Sequence, residues 1–101
     1  MATYVELKDL FNDSDLQDKV QVALLISLQE LLDGTPTVDQ QKYAVHAFSN
    51  RGVEAHRVLA SVLAANASMT VAQIKGASDA AIKNNVASVI DAFVVAYNAG
   101  V

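Results

Sequence analysis

Three times in this chain a threonine stands three residues ahead of a glutamate or glutamine: Thr3 with Glu6, Thr37 with Gln40, and Thr70 with Gln73. That is the spacing of a capping box, in which the hydroxyl accepts from the backbone N–H three residues on and the longer side chain reaches back to the threonine's own N–H. Helix starts carry orphan N–H groups, so the pattern marks where helices begin. Ser78 and the run Asn12-Asp13-Ser14 add further cap chemistry. Gly34 and Gly76 stand where stops are needed, and glycine takes a left-handed cap conformation without a Cβ clash.

Composition agrees with the punctuation. Seventeen of the 101 residues are alanine, the best intrinsic helix former, while four glycines and one proline are too few for the turns of a sandwich or barrel. The expectation is an all-α fold, one domain over 1–101, built as a compact bundle of about five to six short-to-medium helices. Their expected spans are about 3–11, 15–33, 38–49, 53–66, 71–75 and 79–98.

Periodicity assigns inner faces. In the last helix Ile82, Val86, Val89, Ile90, Phe93 and Tyr97 form the clearest amphipathic stripe. A competing strand over Ala92–Tyr97 is suggested by Phe93, Val94 and Val95, but no partner strand of similar quality is visible. In the second helix Leu16, Val20, Ala23, Leu24 and Leu31 make one stripe, and Val22, Leu25, Ile26 and Leu32 cover much of the remaining girth. Such a helix is either central to the bundle, the reading we adopt, or turns its second face to another chain. The third helix is expected to bury Val38, Ala44, Val45 and Phe48, with Asp39, Lys42 and His46 outward. The fourth is expected to bury Ala55, Val58, Leu59, Val62 and Leu63, with Glu54, Arg57 and Ser61 outward. The first helix is short and expected to be weakly held.

No cysteine is present, which excludes disulfides, thiolate zinc sites and a cysteine nucleophile. The formal net charge of −4 disfavours phosphate-driven nucleic-acid binding, which depends on Lys and Arg. No apolar run approaches the ~20 residues of a bilayer crossing, and the start of the chain lacks the features of a secretory signal, so the chain reads as mature, soluble and not membrane-bound.

Polar constellations carry little chemistry. His46 and His56 are the only imidazoles; with Asp39 and Glu54 they offer zinc-ligand chemistry, but they lack the i, i+4 spacing of a two-His helical site, and the reading is of surface or boundary histidines. Asp13 and Asp15 resemble the opening of a calcium loop but lack its later oxygens and glycine, so capping is the better reading. No Gly-x-Ser-x-Gly elbow surrounds a serine, and no glycine-rich phosphate cradle occurs. Asn12-Asp13-Ser14 and Asn66-Ala67-Ser68 fit the glycosylation pattern, which we read as chance. Asp15 with Lys19 and Asp79 with Lys83 have the spacing of helical ion pairs. The expectation is no catalytic, metal or cofactor-binding residue, and no cofactor.

Apolar residues left outside the stripes say more. Tyr4, Phe11, Leu25, Leu32 and Val95 are candidates for contact with other proteins; the alternative is that a small bundle wraps them internally.

Two strings, LFNDSDL over Leu10–Leu16 and VLAANASMTVAQIKGASDAAI over Val62–Ile82, resemble a family of small all-helical virion structural proteins of tailed bacteriophages. The matching residues are caps and core positions, so no functional residue carries over. The resemblance implies a non-catalytic virion component, at a position such as the head-to-tail connection. Its implied partners are portal, tail or capsid proteins and further copies of itself, and its implied locations are the virion and, during assembly, the host cytoplasm. A second reading is a small phage-encoded intracellular regulator that binds one host protein.

Overall fold

In a computed structural model that describes residues 2–100, every regular element is helical. The order is α1 (Tyr4–Phe11), α2 (Ser14–Asp33), α3 (Val38–Ser49), α4 (Arg51–Ala65), α5 (Val71–Lys75) and α6 (Asp79–Asn98). The segment Ala92–Tyr97 continues α6, because the apolar period there is helical and no strand exists among the described residues to pair with it.

All three boxes form. Glu6, Gln40 and Gln73 donate their backbone N–H to Thr3, Thr37 and Thr70 at 3.2, 3.1 and 3.2 Å, and each returns its side-chain oxygen to the threonine N–H at 2.9, 2.8 and 2.9 Å. Ser78 caps α6 through the Ala81 N–H at 3.1 Å. Asp13, rather than Ser14, is the cap of α2, accepting from Leu16 N–H at 2.9 Å. The stops differ in mechanism from expectation. Gly34 ends α2 with φ −86° and Gly76 ends α5 with φ −83°, neither left-handed. At Gly76 the requirement is room: a Cβ there would lie 2.9 Å from the Ala72 carbonyl oxygen.

The two 20-residue helices α2 and α6 pack along each other, and α3 and α4 close the bundle around them. The central position of α2 follows from its sequence: Leu16, Val20, Ala23, Leu24 and Leu28 are all buried. Against them lie Val58, Leu59, Val62 and Leu63 of α4 and Ile82, Val86, Ile90 and Val94 of α6. The short α1 is better anchored than its length suggests. Leu10 is fully buried, and the Ala2 N–H donates to the Met69 carbonyl at 2.9 Å, tying the start of the chain to the turn before α5.

The inner face of α3 departs from expectation. Val38 and Val45 are largely exposed, and Tyr43, Ala44 and Ala47 are the buried residues. Tyr43 and His46 turn inward because α4 and α6 offer them polar and aromatic partners, which outweighs the loss of two valines to solvent. The expected i, i+4 ion pairs are also replaced. Lys83 reaches across to Glu30 of α2 at 2.8 Å, and Lys75 joins Asp13 at 3.3 Å, so two bridges tie helices together instead of decorating one.

Two stability predictions arise from this frame. The Ser27 hydroxyl is buried in α2 and has no hydrogen-bond partner. Ser27→Ala removes an unsatisfied polar group and improves helix propensity, so it is expected to stabilise the fold by about 1 kcal/mol in urea unfolding. Asp13 has its carboxyl held below the usual range, first by the Leu16 N–H bond and then by Lys75. A folded-state value below the unfolded one gives stabilisation that is complete above about pH 4 and is lost as pH falls through the folded value. Asp13→Asn keeps the cap acceptor but loses the charge that faces Lys75, so this variant is expected to be less stable than the parent near pH 7, to decline less steeply with acid, and to converge on the parent below about pH 4.

Candidate functional site

Among the described residues one charged side chain is buried, that of Glu54, 2% exposed in the first turn of α4. Expected to face outward, it instead turns inward. The single-residue break at Asn50 folds α4 back beside α3, and Glu54 heads an i, i+4 column with the buried Val58 and Val62. That column is the signal in the sequence that was outweighed by the charge of its first member.

Its oxygens are occupied. Tyr43 O–H donates to Oε2 at 3.0 Å, and His46 Nε2 lies 3.2 Å from Oε1. Asn50 Nδ2 donates to the His46 carbonyl at 3.0 Å and lies 3.3 Å from His46 Nδ1, which leaves Nδ1 as acceptor and places the imidazole proton on Nε2, toward Glu54. Arg57 Nη1 stands farther off, at 3.8 Å from Oε1, with its side chain mostly in water. Burial, and next the neighbouring Glu54 carboxylate, push the Tyr43 phenol well above its ordinary range, so it remains a donor across the physiological pH range. The His46 ring stacks on Tyr97 at 4.5 Å and 24°, while Tyr43 meets Tyr97 edge-on at 6.0 Å.

This cluster therefore ties α3, α4 and the C-terminal part of α6 together. The space beside it is about 70 Å³, well under the ~300 Å³ at which small-molecule pockets begin. His56 lies apart, exposed on α4 with its ring 5.6 Å from Phe11, so the two histidines do not converge. No group of three or more His, Asp or Glu among the described residues has the arrangement to hold a metal ion.

Of the five expected contact residues, Tyr4 is 81% exposed and Val95 is 69% exposed. Leu25 is half-buried, and Phe11 and Leu32 are half-buried against the core, because a bundle this small does wrap part of their area. The five do not form one patch. Tyr4 and Phe11 come together with Leu7, Ala60, Leu63 and Ala64 along a groove of about 310 Å³ between α1 and α4.

A second cleft, of about 390 Å³, runs between α2 and the N-terminal part of α6. Val22, Ala23, Ile26 and Ala80 form its apolar floor, and Asp18, Lys19, Asp79 and Lys83 its rim. Val22 and Ile26, which with Leu25 and Leu32 widen the apolar girth of α2 beyond its main stripe, are among the exposed large apolar residues. Among the described residues, no helix is long and apolar enough to cross a membrane. The chain matches no family model, no curated protein and no solved structure.

Proposed function

We propose that this chain is a non-catalytic structural protein that works by docking to other proteins, and that its setting is the virion of a tailed bacteriophage, at a position such as the head-to-tail connection. The observation that carries the docking reading is the placement of its apolar side chains: two grooves of about 310 and 390 Å³ lie open on the surface of a chain of 101 residues. Exposed contiguous apolar surface on a small protein marks interaction sites. The non-catalytic reading is supported by the interior. Its buried carboxylate spends both oxygens on Tyr43, His46 and Arg57, and the space beside it is too small for a substrate of ordinary size.

The phage setting rests on the resemblance of Leu10–Leu16 and Val62–Ile82, and quantitative mass spectrometry of purified particles tests it. Recovery of the chain in fixed ratio to portal or capsid protein is the expected result. Its absence from particles, together with capture of one defined host protein by the immobilised chain, would replace the virion reading with that of a host-directed regulator.

A further inference from the structure

The two open grooves share no residue and differ in charge. The α1–α4 groove carries Lys8 and no acid in its lining; Glu6 and Asp9 line a separate hollow with Lys75, and the exposed Arg57, one turn before Ala60, leans toward the buried Glu54 at the margin of this face. The α2–α6 face is acidic. On the rim of the cleft Asp18 and Asp79 stand against Lys19 and Lys83, and Asp15, Glu30 and Asp33, exposed on the same side of α2 by helical spacing, extend an acidic margin beyond it, so the wider face has five negative charges against two positive, a balance of −3. On the α2 helix Asp15, Asp18 and Asp33 share the exposed side with Val22 and Ile26 at helical spacing, so the acids flank the apolar floor at both ends.

Shape runs the same way. Tyr4, 81% exposed, stands out from the cationic face as an aromatic knob, the residue class that anchors interfaces most often. The cleft on the acidic face, about 390 Å³, is of the size class that takes a drug-sized ligand, more than one phenol needs.

We propose that these two faces are the halves of one interface between copies of this chain: the α1–α4 face of one copy, led by Tyr4, docks on the α2–α6 cleft of the next. Because the halves are different surfaces, the contact is head-to-tail and propagates into a ring or an open chain instead of closing as a two-fold dimer. Charge complementarity selects this partner: with a net charge of −4, two copies repel each other in most orientations, and this is the orientation that opposes a cationic face to an anionic one. The assignment rests on the docking reading given above and adds its geometry.

The test is sedimentation velocity of the full chain from about 1 µM to about 1 mM at low and high salt. Tyr4→Asp disables one face and Val22→Lys the other; both positions are exposed, and circular dichroism checks that each variant keeps its helicity. The expected result is self-association of the parent that weakens with salt and weakens at least about tenfold in either variant. An equimolar mixture of the two variants is expected to form a one-to-one dimer that grows no further, because between them one intact interface remains. Three outcomes would each overturn the proposal: a parent that stays monomeric throughout, a variant that assembles as the parent does, or a mixture that fails to pair. A monomeric chain still found in particles would sink this geometry and leave the virion reading standing, whereas an assembling chain absent from particles would do the reverse.

Discussion

Replacing Glu54 with alanine is expected to destabilise the protein by about 3 kcal/mol, because it strips the acceptor from the buried Tyr43 O–H and the half-buried His46 Nε2–H and leaves a cavity as well. For a domain of this length that corresponds to a fall of roughly 12–24 °C in Tm. Against a native stability of ~5–15 kcal/mol the loss is severe. Glu54→Gln keeps an acceptor for one donor but turns an amide toward the other, so an intermediate cost of about 1–2 kcal/mol is expected.

Tyr43→Phe removes only one donor and is expected to cost about 1.5–3 kcal/mol, the range for hydrogen bonds to charged groups. The double variant Glu54→Ala with Tyr43→Phe should then cost less than the sum of the singles, since the pair shares one interaction. Urea unfolding of the four proteins measures this. A Glu54→Ala change within about 0.5 kcal/mol of the parent, the behaviour of an ordinary surface residue, would contradict the buried placement.

The second large effect is expected at Leu24. Its side chain is fully buried where α2 meets α4 and α6, so Leu24→Ala should cost about 2–5 kcal/mol. Two residues earlier, Val22→Ala should change stability by no more than about 0.5 kcal/mol, because Val22 is 55% exposed and its methyl groups contact little. The contrast between two aliphatic residues on one helix reads out the orientation of α2 directly. Equal losses at both positions would mean that the Val22 face is covered.

These two helices show how unevenly the sequence displays its structure. On α6 the stripe members Ile82, Val86 and Ile90 are buried and Val89 and Phe93 are partly buried against the core, while Val94, outside the stripe, is buried as well, so period and burial coincide over the first half of the helix and drift apart after it. Tyr97, the last member of the same stripe, is 42% exposed, with one side of its ring stacked on His46 of α3. On α2 the apolar girth is so wide that periodicity could not decide which aliphatic residues meet the core. Leu28 is fully buried and Ile26 is open, although both are large, branched and helical.

The candidate contact residues divide in the same manner. The exposure of Val95 is legible because it projects among Asn84, Ser88 and Asp91, and that of Tyr4 because its helix is too short to stand alone, whereas the cleft at Val22 and Ile26 exists only through the approach of α6 to α2. Glu54 was hidden by the rule that charges face water, a rule that fails where partners are provided. Its partners come from eight and eleven residues away, across a turn whose geometry is not written in composition.

What the sequence determined by itself is the set of helices and their starts. Capping boxes, alanine content and the scarcity of glycine and proline act within a few residues, and all three boxes form as spaced. What only the tertiary structure decided is which side of each wide helix lies inward, where Glu54, Tyr43 and His46 converge, and which apolar residues remain outside as grooves. Those outcomes depend on burial against distant segments. Local chemistry fixes a helix, but the area that one helix hides on another depends on how all six come together.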